Sequence, residues 1–249
     1  MATAPSDRGR REAGDADALD VLRTGHIDVL GLLPYSSNYT FLARATKAGT
    51  ERLAVYKPRS GERPLWDFPR GTLAAREVAA WLVSEASWKI VPPTVLRDDA
   101  PLGEGSLQLF IQHDPERHYF VLMDDRHDAL ASFAAFDAVI NNADRKAGHV
   151  IEDPDGRLWA VDHGLTFHTE PKLRTVIWAF AEERLTPPLR VELEELGAAL
   201  ADDKGLGGEL AALLSPEEAE ATLARVETLL IEDRFPAPQG DRPLPWPLI

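Results

Sequence analysis

Two aspartates frame a short hairpin pattern in the middle of the chain. Asp144 lies in Asn141-Asn142-Ala143-Asp144-Arg145, a polar turn entered from an apolar helical run, and Asp162 opens Asp162-His163-Gly164. Between them, Val150-Ile151 and Leu158 to Val161 read as two strands joined at Asp153-Pro154-Asp155-Gly156, a run of turn-forming residues. A hairpin brings its ends together, so carboxylates placed at both ends converge on one point. Convergent carboxylates suit a divalent cation with oxygen ligands, and the phosphates such a cation carries. Asp144, next to Arg145, has the setting of an acid that orients an attacking hydroxyl; Asp162 has that of a metal ligand.

Other parts of a phosphotransfer site occur earlier in the chain. Lys57 ends the strand pattern Val55-Tyr56-Lys57-Pro58, either as an edge lysine with a snorkelling stem or as an ammonium aimed at phosphates. The second role needs a carboxylate partner, and Glu77 sits early in the following helix pattern, in the order kinases use for such a pair. Ser36-Ser37-Asn38 precedes the first hairpin strand, where exposed backbone N–H groups suit phosphate. No Gly-x-x-x-x-Gly-Lys-Ser/Thr sequence is present, so a Walker-type site is not expected.

The elements that position these residues follow from periodicity. Residues 1–18 read as a polar, disordered tail. Tyr39 to Ala45 and Leu53 to Pro58 form a hairpin, and residues 59–71, with two prolines and three arginines, an irregular insertion. Thr72 is expected to cap a helix over Leu73 to Ser87. Val91 to Leu96 and Gly105 to Gln112 are two further strands. Beyond Gln112 helices dominate, over Ala129 to Ile140, Pro188 to Ala201 and Pro216 to Ile231. The proline-rich end from Phe235 reads as an extended surface arm. The resulting division is a tail (1–18), a β-rich lobe with one helix (19–112), a mostly helical lobe (113–235) and an arm (236–249): an α+β chain with two lobes around a cleft.

Composition narrows the partners. The formal net charge is −14 over 249 residues, which argues against nonspecific nucleic-acid binding and docking to an anionic membrane. There is no cysteine, so disulfides and thiolate metal sites are excluded. The N-terminus lacks the apolar core of a signal peptide, and no stretch is long and apolar enough for a transmembrane helix, so a cytoplasmic protein is expected. Oligomeric state is not legible.

The order Ser36-Ser37-Asn38-Tyr39-Thr40-Phe41-Leu42, Val55-Tyr56-Lys57-Pro58, Arg76-Glu77-Val78-Ala79-Ala80-Trp81, Gly105 to Ile111, Asn142-Ala143-Asp144-Arg145-Lys146-Ala147-Gly148-His149 and Val161-Asp162-His163-Gly164 resembles the phosphatidylinositol 3-/4-kinase-related superfamily. It is most similar to short actinobacterial kinase-like members, and more distantly to type II phosphatidylinositol 4-kinases and HipA-type kinases. The resemblance covers roughly residues 25–230 and implies a two-lobed protein-kinase-like fold around an ATP cleft. It further implies Ser36, Ser37 and Asn38 as the phosphate loop, Lys57 as the phosphate-contacting lysine and Glu77 as its ion-pair partner. Gln108 to Gln112, with Phe110 and Ile111, would be the hinge meeting adenine. Asp144 would be the catalytic aspartate and Asp162 the metal ligand of an Asp-Phe-Gly-like turn, with His163 in the aromatic place. The implied cofactors are ATP and Mg²⁺ or Mn²⁺, and the implied function is transfer of the γ-phosphate to an unidentified hydroxyl acceptor: protein Ser/Thr, small metabolite or lipid. One position departs. His149 stands where the family has a metal-binding Asn, and imidazole suits Mn²⁺ or Zn²⁺ better than Mg²⁺. That departure keeps open a nucleotide-binding pseudokinase. A metal-dependent hydrolase or zinc site using Asp144, Asp162, His149, His163 and His168 is a further reading.

Overall fold

The computed structural model describes residues 7–34 and 38–249. The chain divides into two compact units, residues 1–74 with 92–110 and residues 75–91 with 111–249.

The first unit is built on an antiparallel five-stranded sheet. Its strands are β1 (His26–Leu32), β2 (Phe41–Lys47), β3 (Thr50–Pro58), β4 (Thr94–Arg97) and β5 (Gly105–Leu109), in the order β1-β2-β3-β5-β4. A helix, α1 (Asp7–Thr24), packs on this sheet. Its last turns present Ala18, Val21 and Leu22, the i, i+3, i+4 spacing of an apolar helix face. Beneath them Ala43 and Ala54 face each other in register across β2 and β3, and their small side chains leave room for the helix. Tyr56, Val95 and Leu107 complete this core. The expected polar tail is therefore helical from Asp7 onward. Ala, Arg and Glu favour helix, and burial at the end of α1 holds it in place. β1 was likewise not anticipated, because its outward residues break the alternation that marks a half-buried strand.

Lys57 sits near the end of β3, opposite Ser106 on β5. Gly105 makes that junction possible. A Cβ there would lie 2.5 Å from the Lys57 carbonyl oxygen and 2.7 Å from Pro58 Cα, so any larger residue would push β5 off the strand that carries Lys57.

The helix α2 (Leu73–Glu85) starts in the first unit and continues into the second. The expected cap, Thr72, donates its hydroxyl to the Pro69 carbonyl (2.8 Å), and a further cap comes from outside the local sequence. Glu62 supplies it from eleven residues upstream of Leu73: Oε1 accepts from the N–H groups of Leu73 (3.1 Å) and Ala74 (3.4 Å), and Oε2 from that of Gly71 (2.7 Å). A carboxylate there satisfies unpaired amides and complements the helix dipole.

The second unit is mainly helical, with α3 (Tyr119–Leu122), α4 (His127–Ile140), α5 (Pro187–Leu200), α6 (Leu206–Ala211) and α7 (Pro216–Glu232). α7 packs against α4, α5 and α6, and begins with a reciprocal capping box between Ser215 and Glu218. The small hairpin β6 (Val150–Glu152) and β7 (Leu158–Ala160) follows α4. Its turn is tied by Asp153, whose Oδ1 accepts from the N–H groups of Asp155 and Arg157 and whose Oδ2 accepts from the Trp159 indole.

The C-terminal arm docks on this unit. Phe235 is buried against Phe180. Further on, the Pro243 carbonyl accepts from Thr175 N–H (3.2 Å) and Trp178 Nε1 (3.1 Å), and the Leu248 carbonyl accepts from Ala147 N–H (2.8 Å). No described helix is long and apolar enough to cross a membrane.

Candidate active site

Asp144 and Asp162 are brought together as the hairpin pattern predicts. The segments that carry them are joined by the bonds Ala143 N–H to Leu165 O (2.9 Å) and Val161 N–H to His149 O (3.0 Å). Beneath both lies a buried ion pair that local sequence reading did not single out. Asp137, on α4, and Arg145 are fully buried. Asp137 Oδ1 accepts from Arg145 Nε (3.0 Å) and Nη2 (2.8 Å) and from Asn142 Nδ2 (3.0 Å), while Oδ2 accepts from Thr175 Oγ1 (3.1 Å). Arg145 Nη1 continues to the Val161 carbonyl (2.8 Å) and Nη2 to His163 Nε2 (2.8 Å). A guanidinium can only donate, so Nε2 of His163 accepts and the imidazole proton resides on Nδ1. One arginine thus ties α4, the Asp144 loop and the Asp162 turn together. The available signal was an acid inside the apolar α4 pattern Phe133-Ala134-Ala135-Phe136-Asp137-Ala138-Val139-Ile140, because buried acids are paired.

Asp144 is set by its neighbours. Asn142 Oδ1 accepts from the Asp144 N–H (3.0 Å), and Lys146 Nζ stands 3.3 Å from Asp144 Oδ2. Burial pushes the Asp144 carboxyl up to about 6, with Lys146 opposing and Asp162 adding to the shift. A carboxylate so tuned is a competent proton acceptor near neutral pH.

Asp162 is half exposed and its backbone is left-handed, with φ 62°. That conformation costs about 1–3 kcal/mol outside glycine and persists where surroundings fix it. Here the next residue is fixed: His163 is fully buried, edge-on to Phe136 with centroids 5.4 Å apart, and its N–H donates to Glu77 Oε2 (3.0 Å). Glu77 is itself buried on α2. In this structure it holds the Asp162-His163-Gly164 turn. Lys57 lies on β3 in the first unit, and Glu77 in the part of α2 assigned to the second.

His149 ends a 3-10 turn over Ala147–His149. Its Nδ1 accepts from the Lys146 N–H (3.4 Å), and Nε2 lies 3.3 Å from Asp162 Oδ2. With Nδ1 accepting, Nε2 carries the proton and donates to Asp162. Among the described residues no group of three or more His, Asp or Glu is arranged to hold a metal by itself. His163 faces Arg145, and His168 Nδ1 accepts from the Glu170 N–H (3.0 Å), so neither joins His149 in a zinc site.

The remaining predicted residues fall as follows. Ser36 and Ser37 lie outside the described residues. Asn38 is in the loop between β1 and β2, closed by Leu33 N–H to Thr40 O (2.8 Å), and its Oδ1 accepts from the Arg63 N–H (2.9 Å). Gln108 does not present an edge to a ligand. It lies on β5 between β3 and β4, and its Nε2 donates to Thr94 Oγ1 (2.9 Å), so backbone and side chain both belong to the sheet. The chain leaves the first unit between Phe110 and Ile111, as a hinge would. Phe110 N–H is paired with Leu53 O (2.9 Å), and the Ile111 carbonyl faces His113 Nδ1 (2.9 Å).

Protein Rv2133c of Mycobacterium tuberculosis is 40% identical to this chain over 267 residues, covering 91% of the chain and 94% of the relative. The chain belongs to that protein's family. No protein-family model matches it. Among solved structures, the Golgi casein kinase with Mn/ADP bound is similar with a TM-score of 0.57 at 16% identity, over 89% of this chain and 75% of that one. The Helicobacter pylori proinflammatory kinase CtkA follows with a TM-score of 0.51 at 8% identity, over 86% and 94% of the two chains. At these identities the likeness is one of fold. The chain has a kinase-like α+β fold, with an antiparallel sheet followed by a helical part.

Proposed function

We propose that the protein is an ATP-dependent phosphotransferase that moves the γ-phosphate to a hydroxyl acceptor. The observation that carries the reading is the pair Asp144 and Asp162, set together on the buried Asp137–Arg145–His163 frame within a kinase-like fold. The motif order that resembles the phosphatidylinositol 3-/4-kinase-related superfamily supports it, and so does the Mn/ADP complex of the Golgi casein kinase. A cytoplasmic location, suggested by the cysteine-free composition, would supply ATP.

Each residue then has a task. Asp144 orients the acceptor hydroxyl and takes its proton, a role suited to a carboxylate titrating near 6. Lys146, 3.3 Å away, keeps enough positive charge beside Asp144 for it to ionise. Asp162 supplies a carboxylate oxygen for a divalent cation, with His149 next to it, and the repulsion between Asp144 and Asp162 is what a cation there would relieve. Bound Mg²⁺ or Mn²⁺ would neutralise phosphate charge. By the same resemblance Lys57 would contact the phosphates, with Glu77 as its partner, and Ser36, Ser37 and Asn38 would form the phosphate loop. The backbone at Phe110 and Ile111 meets the adenine. The chain itself supplies positioning and charge.

His149 favours a second reading. Its Nε2 donates to Asp162, where the related kinases place a metal-binding amide oxygen, so a nucleotide-binding regulator with little turnover is the alternative. Incubation with ATP and either Mg²⁺ or Mn²⁺, followed by ADP release and by mass spectrometry for autophosphorylation, separates the two. The kinase reading expects Asp144→Ala to reduce turnover about 10²–10⁴-fold. Equal turnover of wild type and Asp144→Ala under both metals, with ATP still raising the melting temperature, would leave the regulator.

A further inference from the structure

The insertion between β3 and α2 carries a feature that the phosphotransfer site does not use. Arg59, Arg63 and Arg70 line a cavity of about 260 Å³, with Phe68, Pro64 and Leu65 among its other walls. That is about nine water volumes, the size of a small charged group with part of its carrier. In a chain with a net charge of −14, three guanidinium groups at one cavity are a local reversal of sign.

The cavity is built rather than incidental. Glu62, the carboxylate inside it, is engaged by the N–H groups of Gly71, Leu73 and Ala74, so the α2 N-terminus is already occupied and Glu62 is turned toward amides. Arg59 is fixed by Glu104, 3.0 Å from its Nη1. It also lies flat on Gly71, where φ is +76° and a Cβ would stand 2.1 Å from Arg59 Nε. Arg63 and Arg70 have no carboxylate partner among the described residues. Asn38 accepts from the Arg63 N–H, which ties the cavity wall to the loop between β1 and β2. On the cavity wall Leu65 is 37% exposed.

We propose that this cavity binds the phosphomonoester group of a ligand. Arg63 and Arg70 would take the dianion through their planar forks, Arg59 would add fixed positive charge, and Pro64 and Leu65 would meet the ligand's carbon body. Two exposed guanidiniums favour a dianion over a monoanion such as chloride, because each contributes charge as well as directed N–H groups. The proposal concerns binding and stands apart from the kinase reading.

The test uses the full chain and two arms. In the first, inorganic phosphate and glycerol phosphate are titrated by calorimetry and thermal shift, against chloride at matched ionic strength. Saturable binding is expected, with Arg63→Gln and Arg70→Gln each weakening it about tenfold or more while leaving the unliganded melting temperature unchanged. In the second, the chain is sedimented with phosphatidylcholine vesicles with or without phosphatidic acid. Retention by phosphatidic acid alone, lost in both variants, supports the proposal and assigns the phosphomonoester to a lipid. Binding in the first arm without retention supports it and assigns a soluble ligand. No binding in either arm, a chloride response equal to that of phosphate, or variants that bind like wild type would overturn it. Asp144→Ala is carried alongside and is expected to bind phosphate like wild type. Absence of ATP turnover therefore counts against the kinase reading alone.

Discussion

Asp144 and Asp162 are the same side chain, close together and resting on one frame, yet their surroundings differ. Asp144 is 26% exposed, has Lys146 at 3.3 Å and is pushed up to about 6 mainly by burial. Asp162 is 50% exposed, sits on left-handed backbone and faces a histidine proton. The difference separates two kinds of chemistry. A partly buried acid held near neutrality exchanges a proton, whereas an exposed acid on a rigid turn offers oxygen to a cation.

The comparison depends on the frame that both acids share, so the largest expected effect comes from breaking it. Asp137→Ala removes the partner of a fully buried arginine and two further hydrogen-bonded contacts. Loss of one member of a buried pair costs about 3–5 kcal/mol, to be measured by urea denaturation. A loss below about 1 kcal/mol would mean that Arg145 finds other partners and that the frame does not hold the site.

A smaller effect, of opposite sign, distinguishes the acids from one another. Because the folded-state value for Asp144 lies above its ordinary value of 3.8, its contribution to stability is fully present below pH 3.8 and is lost as pH rises through about 6. Asp144→Asn is therefore expected to stabilise the fold by roughly 1–3 kcal/mol at pH 7–8, with the difference vanishing below pH 4. Melting curves of wild type and variant across this range check it. A destabilised Asp144→Asn at pH 8 would show that the carboxylate is held by favourable contacts instead.

The smallest effect concerns the arm that closes over the Asp144 loop. Deleting residues 243–249 removes the Leu248 carbonyl from the Ala147 N–H and Pro243 from Thr175 and Trp178. Hydrogen exchange at Ala147 is expected to speed up by about fivefold, the equivalent of one hydrogen bond, with little change at Asp162. Equal acceleration at both would mean that the arm supports the whole unit and not this loop.

The hairpin, α4, α5, α7 and the convergence of the two acids were legible because local patterns specify them: turn residues at Asp153 to Gly156 and apolar spacing along the helices. What was not legible depends on distant partners. α1 looks like a tail until its last turns meet the alanines of β2 and β3. Glu62 caps α2 from outside the local window, so a reading of the residues next to Leu73 finds only Thr72. Gln108 resembles a hinge residue in sequence, but pairing on both sides makes it a sheet residue. Asp137 could have been noticed as an acid in an apolar helix, though its joining of three segments could not. The proline-rich arm reads as an extended surface segment because its anchors beyond Phe235 include backbone carbonyls, which carry no side-chain signature.

The division of labour between the two acids is tested most directly by Mn²⁺ binding in the presence of ATP, followed by electron paramagnetic resonance. Wild type and Asp144→Asn should hold Mn²⁺ alike, although Asp144→Asn turns over ATP about 10²–10⁴-fold more slowly, and Asp162→Asn should lose the bound signal. Equal loss in both variants, or retention in Asp162→Asn, would contradict the assignment of proton transfer to Asp144 and cation binding to Asp162.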